Sequence, residues 1–139
     1  MVHARYATAM LYAAVAAGSV IGGTARWLVG EWMHHWAGAG FPWATLFVNV
    51  TGSFLIGCYA ALAGPDGRLL ASPRQRQFVM TGICGGYTTF SVFSLETVLL
   101  IEAGRVAVAG TVIGVSVLLW LAAVWLGWTL ATRINRLRR

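Results

Sequence analysis

The sequence predicts an all-α membrane protein, with four transmembrane helices per subunit and the third broken near its middle. Three observations predict this. Of 139 residues, 58% are hydrophobic and only 10% are charged, whereas a soluble domain has about a quarter of its residues charged. Four apolar runs, at about 7–25, 43–63, 78–101 and 106–131, each come near the ~20 residues that cross a bilayer as helix. The third run holds a stretch, GICGGYTTFSVFSLE from Gly82 to Glu96, whose composition does not suit a plain membrane helix.

The first run has Arg5 near its start and Ala14–Val15–Ala16 as a small-residue site, which resembles a signal peptide. Its apolar character continues well past that site, so it is read as a retained helix. Gly18 and Gly22 give it a face for close helix packing. Arg26 closes the run. It either reaches back to headgroups or sets a positive charge at a vestibule that draws an anion. The connection 30–40 carries Glu31, His34 and His35. Adjacent histidines on a helix point apart and no further ligand completes a metal set, so these are read as loop residues.

The second run opens at Phe41–Pro42–Trp43, a good helix start with an interfacial aromatic. Thr45, Asn49 and Gly52 or Ser53 then fall on one polar stripe of an apolar helix. An asparagine in hydrocarbon must find partners across a helix interface or in a polar pathway. Pro65–Asp66–Gly67 marks a turn before the third run.

In the third run, Gly85 and Gly86 make the backbone permissive. Thr88, Thr89, Ser91 and Ser94 place four hydroxyls within seven residues, where lipid offers no partner. Phe90, Phe93 and Glu96 share one face if helix resumes after the glycines. A helix that opens at the Gly pair exposes main-chain groups, which membranes tolerate only beside protein, a polar cavity or an ion. The competing reading is packing, with Gly82 and Gly86 as a small-residue face and the hydroxyls bonded to their own helix. The fourth run repeats the glycine spacing at Gly110 and Gly114, carries Thr111 and Ser116, and ends in Arg133, Arg136, Arg138 and Arg139.

Charge sets a topology. The chain has ten arginines, no lysine and four acids, for a net charge of +6. Eight of the arginines fall on the side shared by the termini and the middle loop, against Arg26 and Arg105 opposite. That bias places both termini in the cytoplasm. The arginines flank apolar runs, which favours headgroup contact over nucleic-acid binding. Cys58 and Cys84 lie within spans and are expected as free thiols. No nucleophile–base pair, metal cluster or cofactor fingerprint is present, so an enzyme is not expected.

These motifs resemble the CrcB/Fluc family of fluoride channels. The resemblance rests on Gly22–Gly23–Thr24–Ala25–Arg26–Trp27, on Thr45–Leu46–Phe47–Val48–Asn49 with Gly52 and Gly57, and on GGYTTFSVFSLE from Gly85. It implies an antiparallel, dual-topology dimer of four-span subunits in a bacterial inner membrane, conducting fluoride passively. It implies a structural sodium ion at the dimer centre, held by the carbonyls of Gly85 and Thr88. It assigns Asn49, Phe90 and Phe93 to the fluoride pathway, with Thr45, Ser91, Ser94, Thr89 and Ser116 as a hydroxyl track, and Arg26 and Glu96 as vestibule or support.

The chemistry agrees with that assignment. Fluoride needs donors to replace its water shell, and amide and hydroxyl groups supply them. The ring edges of phenylalanine are the positive part of the quadrupole. Two features depart from the family pattern: Ala44 before Thr45, and Leu118–Leu119–Trp120 where a small or hydroxylated residue is expected. The arginine bias is large for a chain that inserts both ways; a homodimer is preferred to pairing with an oppositely biased homologue. The rival functions are a small proton-coupled exporter, which needs an intramembrane carboxylate such as Glu96, and a non-conducting membrane assembly protein.

Overall fold

The structure is a computed structural model that describes residues 2–37, 40–65 and 67–136, with side chains from Tyr6 onward. Asp66 of the expected turn, the Arg5 side chain, Arg138 and Arg139 lie outside the described residues.

Helix α1 (Val2–Ala37) has 36 residues. At 1.5 Å per residue it is about 54 Å long, well beyond the ~30 Å hydrocarbon layer. This corrects the expected loop: Glu31, His34 and His35 are helical. Gly30 stands alone there, and one glycine costs a helix only about 1 kcal/mol. No proline intervenes before Pro42. Trp27, Trp32 and Trp36 stand exposed along this end, where interfacial rings belong.

Helix α2 (Trp43–Leu62) follows Pro42. The third span begins at α3 (Pro73–Arg76), five residues earlier than expected. Ser72 caps it: its hydroxyl accepts from the Gln75 N–H at 3.3 Å and its own N–H donates to the Gln75 side chain at 2.9 Å, a reciprocal capping box. The chain then widens into a π-helical stretch, Gln77–Cys84, where the Gly85 N–H reaches back to Met80 O. Short α4 (Gly85–Tyr87) and α5 (Phe90–Glu102) complete the span. Gly104, at φ 72°, makes the left-handed turn that only glycine adopts cheaply. Helix α6 (Val106–Arg136) ends the described chain. Four long apolar helices of this kind make a four-span membrane protein.

Two glycine seams hold the helices together. A Cβ on Gly82 would lie 2.8 Å from Gly18 Cα and 2.9 Å from Val15 O, and one on Gly86 would lie 2.7 Å from Ser19 O. Backbones this close leave no room for a side chain, so α1 and the first half of the third span touch main chain to main chain. The second seam joins α2 to α6, where a Cβ on Gly57 would lie 3.2 Å from Trp128 N and one on Gly127 3.0 Å from Cys58 N. Gly110 and Gly114 behave otherwise: nothing lies within 4 Å of either. Their spacing makes no contact inside the protomer. Leu118 (69% exposed) and Trp125 (64%) share the outward surface of α6. Cys58 and Cys84 are free.

Candidate functional site: an interrupted helix and its clefts

Helical geometry stops at Tyr87 and restarts at Phe90. Thr88 (φ −80°, ψ 160°) and Thr89 (φ −150°, ψ 123°) are extended. The opening lies two residues beyond the Gly85–Gly86 pair, which is itself helical. Gly86 serves the seam with α1 rather than the opening. The packing reading therefore holds for Gly82 and Gly86 and for the Thr88 and Ser94 hydroxyls, which bond back to Cys84 O and Phe90 O, while the Thr89 and Ser91 hydroxyls meet at the opening.

The main-chain groups of Thr88 and Thr89 freed at the opening have partners supplied by the sequence. The Thr89 N–H donates to Asn49 Oδ1 at 2.7 Å, and Asn49 Nδ2 donates to Thr89 O at 2.8 Å. Both residues are buried. The Thr89 hydroxyl caps α5 by accepting from the Val92 N–H at 3.2 Å and lies 3.3 Å from the Ser91 hydroxyl. The Thr88 N–H and hydroxyl both donate to Cys84 O, at 3.0 and 2.9 Å. Arg26 Nη1 donates to Thr88 O at 3.4 Å. The Thr89 N–H, which an unbroken helix would give to the Gly85 carbonyl, is taken by Asn49. Gly85 and Thr88 both line a cleft of about 270 Å³ with Asn49, Thr89, Phe90 and Trp120.

Phe90 is 71% exposed and Phe93 is 7% exposed, with ring centroids 5.5 Å apart. The two rings thus run from the surface of the protomer into its interior. Glu96 continues that face toward Thr45 of α2. Its Oε2 is buried without a hydrogen-bond partner. Glu96 borders a second cleft, of about 400 Å³, at the other end of α5, with His34 of the α1 overhang and Arg105. Arg105 Nη2 donates to Gly40 O at 2.6 Å there.

The remaining expected residues are more scattered. Ser91 is exposed, the Ser94 hydroxyl bonds back to Phe90 O at 2.9 Å, and Ser116 is buried on α6. Sequence reasoning noted Trp120 only as a departure from the family pattern; its ring meets Phe93 at 4.9 Å and 73°. The signal was present: Trp120 lies four residues after Ser116 and so shares its helix face. Missed altogether were Thr97, which bonds back to Phe93 O at 2.8 Å, and the Thr51–Tyr87 hydroxyl pair at 3.1 Å. Among the described residues no three His, Cys, Asp or Glu side chains gather as a metal site.

A family model described as "CrcB-like protein, Camphor Resistance (CrcB)" matches residues 13–128, from within α1 to within α6. The chain belongs to the CrcB family. It is 68% identical over 130 residues to a protein of Rhodopseudomonas palustris (strain BisB18) named "Fluoride-specific ion channel FluC 1", a match covering 94% of this chain and 92% of that one. A protein of the same name from Bradyrhizobium diazoefficiens is 58% identical over 97% of this chain and 94% of its own. "Fluoride-specific ion channel FluC" of Methylocella silvestris is 45% identical over 93% and 98%. The resemblance read from the motifs is thereby confirmed at the level of the CrcB family, and the chain is a multi-pass membrane protein.

Proposed function

We propose that the chain forms a passive, fluoride-selective channel that lets cytoplasmic fluoride leave down its electrochemical gradient. The observation that carries this reading is the Asn49–Thr89 pair at an interruption beside Phe90 and Phe93. A hydrogen-bonded opening, two phenyl rings and a hydroxyl cluster meet where a packing helix needs none of them. The names of relatives up to 68% identical point the same way.

The working unit in this reading is two copies inserted antiparallel in a bacterial inner membrane. Phe90 and Ser91 stand exposed beside the cleft, and a second copy would cover them. The donor set fits a structural sodium ion at that junction. The Gly85 carbonyl has lost its helical donor to Asn49, and the Thr88 carbonyl keeps one lone pair beyond the Arg26 contact. Main-chain oxygens at a broken membrane helix suit a hard monovalent cation. Bound there, sodium would supply positive charge beside an anion path. The chain's own residues do the rest. Asn49 fixes the opening, Phe90 and Phe93 exclude water and turn ring edges to an anion, and Thr45 with Glu96 leads toward the second cleft.

Fluoride efflux from liposomes holding the purified protein tests this, with chloride efflux and proton flux measured alongside. Fluoride release without chloride release or coupled proton movement is the expected result. Coupled proton counterflow would make the chain an exporter working through Glu96. No fluoride release would leave it an assembly protein.

A further inference from the structure

Trp120 is a buried donor with nothing to donate to. Its Nε1 is shut off from solvent and has no hydrogen-bond partner. An indole nitrogen can only donate, and buried tryptophan N–H groups normally find an acceptor. A buried donor left unmade is costly, and such a group in a well-packed protein calls for an explanation such as an absent ion. The position of this one is specific. Trp120 lines the cleft shared by Asn49, Thr89 and Phe90, and its ring lies nearly perpendicular to Phe93 at 4.9 Å. It stands one turn beyond buried Ser116 on the same face of α6.

We infer that the Trp120 indole N–H is a ligand for the permeating anion as it passes between the two phenyl rings, and that it sets selectivity for a small, dehydrated halide. One Asn49 amide hydrogen is already spent on Thr89 O. The Ser94 hydroxyl is spent on Phe90 O. The indole N–H is a buried donor of this cleft that has no bond to give up, beside the second amide hydrogen of Asn49. The nitrogen lies just behind the cleft wall, so a small rotation of the ring is needed to meet the anion, which arrives there stripped of water on that side. In so dry a place a charge-assisted N–H bond is strong. Fluoride, with the most concentrated charge among the halides, gains more from it than chloride. The inference rests on the fluoride-channel reading.

The test uses the whole protein in two assays. In liposomes, Trp120→Phe keeps an aromatic ring against Phe93 and removes the N–H. Fluoride efflux is expected to fall about tenfold while the small chloride leak is unchanged. In detergent, ¹⁵N-indole spectra of the unsubstituted protein are titrated with sodium fluoride and then sodium chloride. The resonance missing from Trp120→Phe is expected to move with fluoride and stay still with chloride. If Trp120→Phe does not assemble, the sulfur isostere of tryptophan placed at position 120 keeps the shape and still lacks the N–H. Unchanged efflux from either variant overturns the inference, as does a fluoride-insensitive resonance in a protein that conducts. A protein that conducts no fluoride at all removes the channel reading itself, and the inference with it.

Discussion

Asn49 holds both main-chain groups of Thr89, accepting from its N–H at 2.7 Å and donating to its carbonyl at 2.8 Å across forty residues of sequence. The carboxamide imitates a peptide unit of a neighbouring strand. It lets a two-residue extended stretch exist inside an apolar span, where each unpaired main-chain group costs several kcal/mol.

Asn49→Leu keeps the volume and leaves both Thr89 groups unpaired. Two such losses amount to about 2–6 kcal/mol. Thermal unfolding of the purified protein is expected to come at markedly lower temperature. Hydrogen exchange in a peptide spanning residues 85–96 is expected to accelerate. Asn49→Asp keeps the acceptor for the Thr89 N–H but, when ionised, sets a buried carboxylate oxygen against Thr89 O. Its loss of stability is expected to match that of Asn49→Leu at neutral pH and to be smaller at low pH, where the carboxyl O–H can donate to Thr89 O. Equal exchange in all three proteins would show that Asn49 has no part in holding the opening.

The glycine seam gives a second prediction with an internal control. A methyl on Gly86 would fall 2.7 Å from Ser19 O and 2.9 Å from Ser19 Cα. Backbone cannot swing aside as a side chain can, so Gly86→Ala is expected to cost about 1–3 kcal/mol by overpacking. Gly110→Ala meets nothing within 4 Å and is expected to leave protomer stability unchanged. If Gly110→Ala instead breaks up the assembled protein in size-exclusion chromatography, that face of α6 meets a second copy.

Phe90 and Phe93 divide the proposed path between them, and their burial predicts different outcomes. Phe93→Ile removes ring contacts with both Phe90 and Trp120 in the interior. It is expected to lower stability by about 1 kcal/mol and to abolish fluoride efflux. Phe90→Ile alters a ring 71% exposed in the protomer. It is expected to spare thermal stability and still cut efflux. Efflux unchanged in both variants would return these rings to a packing role.

The spans themselves were legible because hydropathy is a sum over many residues and tolerates local error. What lay beyond the bilayer was not. His34 and His35 sit on the α1 overhang, where neither lipid nor a cap dictates helix and only the lack of a breaker does. The opening was misplaced by two residues for a different reason. Gly85 and Gly86 announce that the backbone is free to bend, but the bend occurs where Asn49, forty residues earlier, has hydrogen bonds to offer. Local sequence reports permission and a distant side chain decides the place. Trp120 was legible only as a departure, because its indole stands where a small or hydroxylated residue was expected. Its depth in the protomer became visible only with Phe93 against it.

Arg26 stands at the junction of the two ions the proposed function involves, and this yields a prediction with opposite signs. Its Nη1 contacts Thr88 O at 3.4 Å, one of the two carbonyls proposed to hold sodium. A guanidinium this close repels a cation at the same oxygen and attracts an anion approaching from the cleft. Arg26→Gln keeps a polar side chain and removes the charge. The sodium concentration needed to stabilise the assembled protein against heat is therefore expected to fall. Fluoride efflux is expected to fall as well, most at low ionic strength, where screening is weakest. Lys at this position should restore efflux and return the sodium requirement toward that of the unsubstituted protein. If the sodium requirement does not move while efflux falls, Arg26 serves the anion alone and the cation lies elsewhere. If neither moves, its hydrogen bond to Thr88 is structural and the vestibule charge comes from another arginine, such as Arg105, which borders the second cleft with Glu96.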